Sequence, residues 1–242
     1  MSLKDIRIPT LLIDERVCRR NIARMRNRAD AHELRFRPHF KTHQSRRIGS
    51  WFRDEAVSAI TVSSVGMARY FADDGWTDIT IAFPVNLRET SAIDALAVRV
   101  SLGIVLESAD TVRILSSALR QPVDVWLKVD TGYGRTGILH SDHTRLLAVA
   151  DAVGSVRNFR LRGLLTHGGD TYDAAAPEEI RRRFELSRIH MLEAAAALRG
   201  NHPHLEISVG DTPGCTLAEE FTGIDEIRPG NFVFHDVMQL QL

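Results

Sequence analysis

Residues 34–43 run Leu34-Arg35-Phe36-Arg37-Pro38-His39-Phe40-Lys41-Thr42-His43, and the reading of this stretch decides what the rest of the chain builds. Leu34–Lys41 has the composition of a β-strand, and its lysine is hemmed in by histidine, phenylalanine and threonine. At an ordinary strand end such a lysine reaches solvent and has no chemical part to play. At the C-terminal end of a barrel strand it is a nucleophile. Burial and neighbouring cations ease its proton off, and the freed lone pair can form a Schiff base with a carbonyl compound. The surrounding sequence chooses between the two.

Working outward, strands and helices alternate. Pro9–Ile13 is read as a short leading strand, and Asp14 caps a helix to about Ala31 with Val17, Ile22 and Met25 on one side. After Leu34–Lys41 and a helix through Ile48, Trp51 and Phe52 come strands at Ala59–Val65, Asp78–Pro84, Val98–Leu106 and Val123–Asp130. Helices are expected from Gly66 to about Asp73, with Gly75 ending it, and from Ser108 to about Leu119. Strands at Leu161–His167, Leu205–Val209 and Ile227–Phe234 follow, with a long Ala-rich helix over Pro177–Leu198. Strands separated by helices of this length imply βαβ units and a parallel sheet. Eight such units after the leading strand predict an α/β fold, a (β/α)8 TIM barrel.

Composition narrows the partners. Lys+Arg and Asp+Glu are both 31, so no global field points to nucleic acid or an anionic membrane. Arginines cluster at Arg19–Arg28 and Arg181–Arg183 on helical patterns with acidic neighbours, the mark of a solvated helix face. The two cysteines, Cys18 and Cys215, make neither a disulfide framework nor a metal-ligand spacing. With no signal peptide and no apolar run long enough for a bilayer, the expected location is the cytoplasm.

A barrel carries its chemistry at the C-terminal strand ends. Collected there are Lys41; Ser63 and Ser64; Asp130, Gly132, Gly134 and Arg135; His167, Gly168 and Gly169; Gly210, Asp211 and Thr212; and Arg228, Gly230 and Asn231. The glycine-bearing loops after strands seven and eight stand where barrels bind phosphate through backbone N–H groups. A lysine opposite a phosphate site points to a phosphorylated carbonyl cofactor, and pyridoxal 5′-phosphate has that chemistry.

Five ordered segments sharpen this: RPHFKTH, KVDTGYGRTG, LRGLLTHGGDTY, SVGDTPG and EIRPGNFVF. Together they resemble the D-threonine aldolase and D-serine dehydratase-like family, which shares the alanine racemase N-terminal-type barrel of fold type III pyridoxal-phosphate enzymes. The resemblance covers nearly the whole chain. It implies that Lys41 carries the cofactor and that Arg135 lies beside its phenolic oxygen. It implies further that His167 lies next to the cofactor ring, that Gly210, Asp211, Thr212, Gly230 and Asn231 hold the phosphate, and that Arg228 approaches the ring nitrogen.

Two departures accompany it. Asp211 stands where the family's pattern calls for serine or glycine, and its carboxylate would repel a phosphate unless turned away. The chain also stops at Leu242, just after the eighth strand. Members of the family continue into a β domain that supplies ligands for a divalent metal such as Mn²⁺ or Zn²⁺. The expectation is therefore a single cofactor-binding barrel over residues 1–242 with that β domain absent. It includes no metal site, since the pairs His39/His43, His140/His143 and His202/His204 lack a nearby third ligand. Pro84, Val85 and the Tyr172 loop are then expected to be exposed, with a homodimer among the options. The expected activity is that of a lyase on small D-β-hydroxy amino acids, impaired without the β domain. An amino-acid racemase, or a single-domain pyridoxal-phosphate carrier of cofactor homeostasis, is the alternative.

Overall fold

Polar side chains set the helix starts. Asp14 accepts the backbone N–H groups of Arg16 and Val17 at 2.9 and 3.2 Å and opens α1 (Glu15–Ala31), which buries Cys18, Ile22, Met25 and Ala29. Ser45, Ser64, Ser108, Asp142 and Asp211 do the same for α2 (Arg46–Asp54), α3 (Val65–Ala72), α5 (Ala109–Ala118), α6 (His143–Gly154) and α8 (Thr212–Leu217). α4 spans Thr90–Ala97 and α7 spans Pro177–Leu198, the latter opened by its proline. The computed structural model describes residues 3–237 and 239.

Between the helices lie β1 (Arg35–Phe36), β2 (Ala59–Val62), β3 (Asp78–Pro84), β4 (Ser101–Leu106), β5 (Val123–Asp130), β7 (Phe159–Leu165), β8 (Glu206–Val209) and β9 (Glu226–Ile227). A two-residue β6 (Ile138–Leu139) is a spur on β5. All pair in parallel, in the order β1-β9-β8-β7-β5-β4-β3-β2. The ring closes just beyond β1, where Phe40 donates to the Thr61 carbonyl and Thr61 to the Pro38 carbonyl at 2.8 and 2.9 Å. The result is the predicted (β/α)8 barrel.

Several strand ends shift by two or three residues, and three expected strands differ more deeply, each for a physical reason. Leu34–Lys41 contracts to Arg35–Phe36 with a later bridge at His39, because Pro38 has no N–H for the ladder. Ile227–Phe234 contracts to Glu226–Ile227, since Pro229 and Gly230 follow and the chain turns into a short 3₁₀ helix at Asn231–Val233. The leading strand Pro9–Ile13 does not form. Among the described residues it finds no strand to pair with, and Ile8, Leu11 and Leu12 are 73, 82 and 57% exposed.

Alternation along each strand divides the core in two. On β5, Val123, Val125, Leu127 and Val129 pack against the helices, while Trp126 and Lys128 face the barrel axis. Trp126, Val105 and Leu165, with Ala82 against them, form the apolar layer inside the barrel. Gly163 has no space for a side chain, because a Cβ there would lie 1.9 Å from the Glu206 carbonyl oxygen. Among the described residues no helix is long and apolar enough to cross a membrane.

Candidate active site

The short strand before it places Lys41. Phe40, fully buried, is ringed by His43, Phe52, Phe71 and Trp76 at centroid distances of 4.4–5.1 Å. With that ring locked among the helices, the next residue must turn toward the barrel mouth. The Lys41 N–H donates to His39 Nδ1 at 3.3 Å, and the Gln44 side chain donates to the Lys41 carbonyl at 3.2 Å. Lys41 is open to solvent at the mouth, and protein packed around its stem together with Arg135 and Arg228 lowers its pKa. A larger neutral fraction makes it a better nucleophile.

Arg135 rides on the loop after β5. Asp130 Oδ1 accepts the N–H groups of Gly132 and Gly134, both at 3.0 Å, and Gly137, at φ +115, closes the turn. A Cβ on Gly137 would meet the Asp130 nitrogen at 2.8 Å, so the loop can return to β5 only through glycine. The Arg135 guanidinium lies over the Tyr133 ring, 5.4 Å from its centroid.

His167 follows β7 and donates from Nδ1 to the Gly210 carbonyl. Burial, then Lys41 and Arg135, push its pKa down to about 3, so the imidazole is neutral and Nε2 keeps a lone pair. Arg228, wholly buried, is lowered to about 10 by burial and remains a cation at neutral pH. Thus Lys41, Arg135, His167 and Arg228, gathered from four segments of the sequence, form one electropositive mouth.

Beside Lys41, because β1 pairs with β9, and not opposite it as the sequence suggested, the loops after β8 and β9 converge on one point. Thr212 Oγ1 accepts from the Asn231 and Gly230 N–H groups at 2.9 and 3.3 Å, and the Thr212 N–H donates to Tyr172 Oη at 3.0 Å. Three backbone N–H groups and two hydroxyls therefore face one another. The backbone itself lines this cradle. A Cβ on Gly230 would lie 2.8 Å from the His39 carbonyl oxygen, and one on Gly210 would lie 3.0 Å from Arg228 Cβ. The Asn231 side chain turns away to Asp236 at 2.8 Å, so only its N–H belongs to the cradle.

Asp211 also turns away. Its Oδ1 accepts from the Thr171 hydroxyl at 2.8 Å and from the Gly214 N–H as the cap of α8. Burial raises it to about 7, so the repulsion its position suggested is removed by orientation and reduced by partial protonation. The cradle's N–H groups bond to the Thr212 and Tyr172 hydroxyl oxygens, and no carboxylate faces it. With the cations beside it, these hydroxyls and N–H groups suit a ligand carrying phosphate and phenolate oxygens. These residues fit pyridoxal phosphate.

Other expected features lie elsewhere. Ser64 caps α3, and Ser63 lines an outer cleft of about 200 Å³ with Ile81, Pro84 and Val85. Pro84, Val85 and Tyr172 are half-buried rather than exposed; Phe83, 59% exposed, takes their place at the rim. His140 stacks on His190 at 3.6 Å and His202 pairs with Asp151 at 3.0 Å. No three His, Cys, Asp or Glu side chains among the described residues are grouped so as to hold a metal ion.

Two residues of the mouth escaped the sequence reading. His39, buried, lies beside Lys41, Arg228 and His167 and is held well below its ordinary pKa by burial first and then by the Lys41 and Arg228 cations. Lys128 is 6% exposed, donates to the Val129 carbonyl at 2.8 Å and is lowered to about 7 by burial, Arg228 and Arg135. The alternation Trp126, Lys128, Asp130 on β5 signalled its position, since it places all three on the axial face, but not its burial.

A parallel (β/α)8 barrel with a depressed-pKa lysine beside a cradle of backbone N–H groups and hydroxyls defines a class: a barrel whose mouth suits an anionic carbonyl ligand. The chain belongs to the family described as alanine racemase, N-terminal domain, whose model matches residues 13–237. It is 33% identical over 244 residues to D-threo-3-hydroxyaspartate dehydratase of Delftia sp. (strain HT23), covering 98% of this chain and 63% of that protein. It is 27% identical over 268 residues to D-serine dehydratase of Dictyostelium discoideum, covering 100% of this chain and 66% of that one. The solved Delftia structure superposes with a TM-score of 0.92 at 32% identity over 98% of this chain and 63% of that chain. D-threonine aldolase from Filomicrobium marinum, at 24% identity, shares the fold with a TM-score of 0.93 over 99% of this chain and 66% of that chain. The chain thus spans about two thirds or a little less of the length of these relatives.

Proposed function

We propose that residues 1–242 form a pyridoxal-phosphate-binding barrel domain of a lyase that acts on D-β-hydroxy amino acids. The observation that carries this reading is Lys41, its proton loosened by burial and by Arg135 and Arg228, standing just beyond the end of β1 beside the Thr212, Gly230 and Asn231 cradle. The similarity to dehydratases and an aldolase of D-β-hydroxy amino acids supports the reaction class.

Lys41, partly neutral, would hold the cofactor through its carbonyl, and the cradle N–H groups with the hydroxyls of Thr212 and Tyr172 would hold its phosphate. Arg135 places a cation beside the phenolic oxygen and favours its anionic form. His167 offers Nε2 as an acceptor at the ring face, because Nδ1–H is committed to Gly210. Arg228, a cation at neutral pH, would disfavour a second positive charge on a ring nitrogen held near it, as the resemblance implies. The bound cofactor supplies an electron sink for charge developing at Cα of an attached amino acid. Lys41 would serve as general base for the Cα proton and could hand that proton to the β-hydroxyl, which then departs as water. For an aldolase, the base acts on the β-hydroxyl proton instead. A divalent metal on the β-hydroxyl, as the family resemblance implies, would draw its ligands from outside the residues described.

The test is direct. Protein mixed with pyridoxal phosphate should acquire a visible absorbance band that borohydride removes, and D-threo-3-hydroxyaspartate, D-serine and D-threonine should each perturb that band. No band at any cofactor concentration overturns the proposal. A band unresponsive to every D-β-hydroxy amino acid would retain the cofactor and reject the substrate class.

A further inference from the structure

Below the mouth, a line of polar side chains crosses the barrel interior. Asp78, at the start of β3, takes both terminal nitrogens of Arg37 at 2.6 and 3.1 Å. Arg37 Nε donates to Glu226 Oε2 at 2.8 Å, and Ser208 Oγ donates to Glu226 Oε1 at 2.6 Å. Arg228 Nε then donates to the same Ser208 oxygen at 2.7 Å. Its Nη2 donates to the carbonyls of Thr166 and Ser208. Nη1 is left as the one nitrogen of the Arg228 guanidinium without a protein partner among these bonds.

The polarity of the line follows from its charges. A carboxylate only accepts, so the Ser208 proton must point to Glu226, and the hydroxyl's lone pair is thereby turned to Arg228 Nε. Burial pushes the Glu226 carboxyl up, but Arg37, Ser208 and Arg35 outweigh it and hold it below its ordinary value. The acceptor state is thus secure at neutral pH. A plug serving stability alone would end at the Arg37 ion pairs with Asp78 and Glu226. Here the second Glu226 oxygen is spent on Ser208, and Ser208 on Arg228.

We propose that Glu226 and Ser208 are positioning residues for Arg228, fixing the plane of its guanidinium so that Nη1 faces the barrel mouth. What Arg228 faces there rests on the cofactor reading above; that it is held this way does not.

Two arms separate those claims. In cofactor-free protein the ¹⁵Nε–¹H signal of Arg228, identified by its loss in Arg228→Lys, should be protected from solvent exchange. Ser208→Ala and Glu226→Gln should each accelerate its exchange by about 10-fold or more, the size expected when a hydrogen bond to a charged group is lost. Ser208→Thr, which keeps the hydroxyl, should restore protection. If the added methyl prevents folding, Glu226→Gln, nearly isosteric, decides alone. Unchanged exchange in both Ser208→Ala and Glu226→Gln overturns the inference. In the second arm, pH titration of the bound cofactor's visible spectrum should shift in both variants and return in Ser208→Thr. Variants that melt earlier yet titrate like the parent would mark a purely structural role and also overturn it. If the parent protein takes up no cofactor, the functional reading falls and the exchange arm still judges the relay.

Discussion

Replacing Lys128 by methionine should stabilise the cofactor-free protein at neutral pH. A buried ammonium is costly to charge, and the cost is measured by the fall of its pKa from the ordinary 10.5 to about 7. At about 1.4 kcal/mol per pH unit this amounts to roughly 5 kcal/mol. The variant loses the Nζ hydrogen bond to Val129, worth about 1 kcal/mol net. That carbonyl stays satisfied by the Thr166 hydroxyl at 2.9 Å, so no orphaned acceptor is left. A gain of about 4 kcal/mol remains, or a melting temperature higher by roughly 8–16 °C for a chain of this length.

The pH dependence carries the sharper test. Below about pH 7 both folded and unfolded states hold the Lys128 proton, and the full cost stands. Between about 7 and 10.5 the unfolded chain binds more protons than the folded one, so the parent's stability rises with pH. Above that window both states are neutral and the cost has gone. Urea denaturation of parent and Lys128→Met at about pH 6, 8 and 10 measures this, because titrating groups not coupled to Lys128 cancel in the difference. The gap should be widest at the lowest pH and close by the highest. A gap independent of pH, or a parent more stable than the variant at about pH 6, would refute the buried-cation argument.

Lys41→Ala should abolish the borohydride-sensitive band with little change in far-ultraviolet circular dichroism; a surviving band would remove the lysine from its assigned role. Arg135→Ala should raise the pH at which the cofactor spectrum titrates, or weaken cofactor binding, since the cation beside the phenolate is gone. A titration matching the parent's would leave Arg135 a loop residue. Gly230→Ala should lower cofactor affinity by forcing its Cβ against the His39 carbonyl 2.8 Å away, and unchanged affinity would show that the cradle yields.

Much of the barrel is local physics, and so it was legible in the residues. β3 and β5 begin and end where the apolar runs do, and α7 occupies Pro177–Leu198 as expected, because periodicity and end signals reside in neighbouring residues. The strand at Pro9–Ile13 failed for the opposite reason. A strand exists only with a partner for its N–H and C=O groups, and an apolar run cannot announce whether one will arrive. Lys41 was legible through its motif and Arg135 through its glycine loop. Lys128 sat in plain alternation on β5, yet nothing in sequence told how dry the axis beside it would be.

What the chain alone determined is therefore the set of elements, their order, and which side chains each strand end could offer. Tertiary structure decided the rest, because burial and hydrogen-bond direction are properties of closed space. Asp211 turns from the cradle only because Thr171 and the start of α8 are there to receive it. The line from Asp78 through Arg37, Glu226 and Ser208 to Arg228 joins side chains from four places in the sequence, 41 residues apart at one step and 189 at the next. No local pattern encodes such a line. It comes into being when the β1 and β2 ends meet and the ring of strands closes.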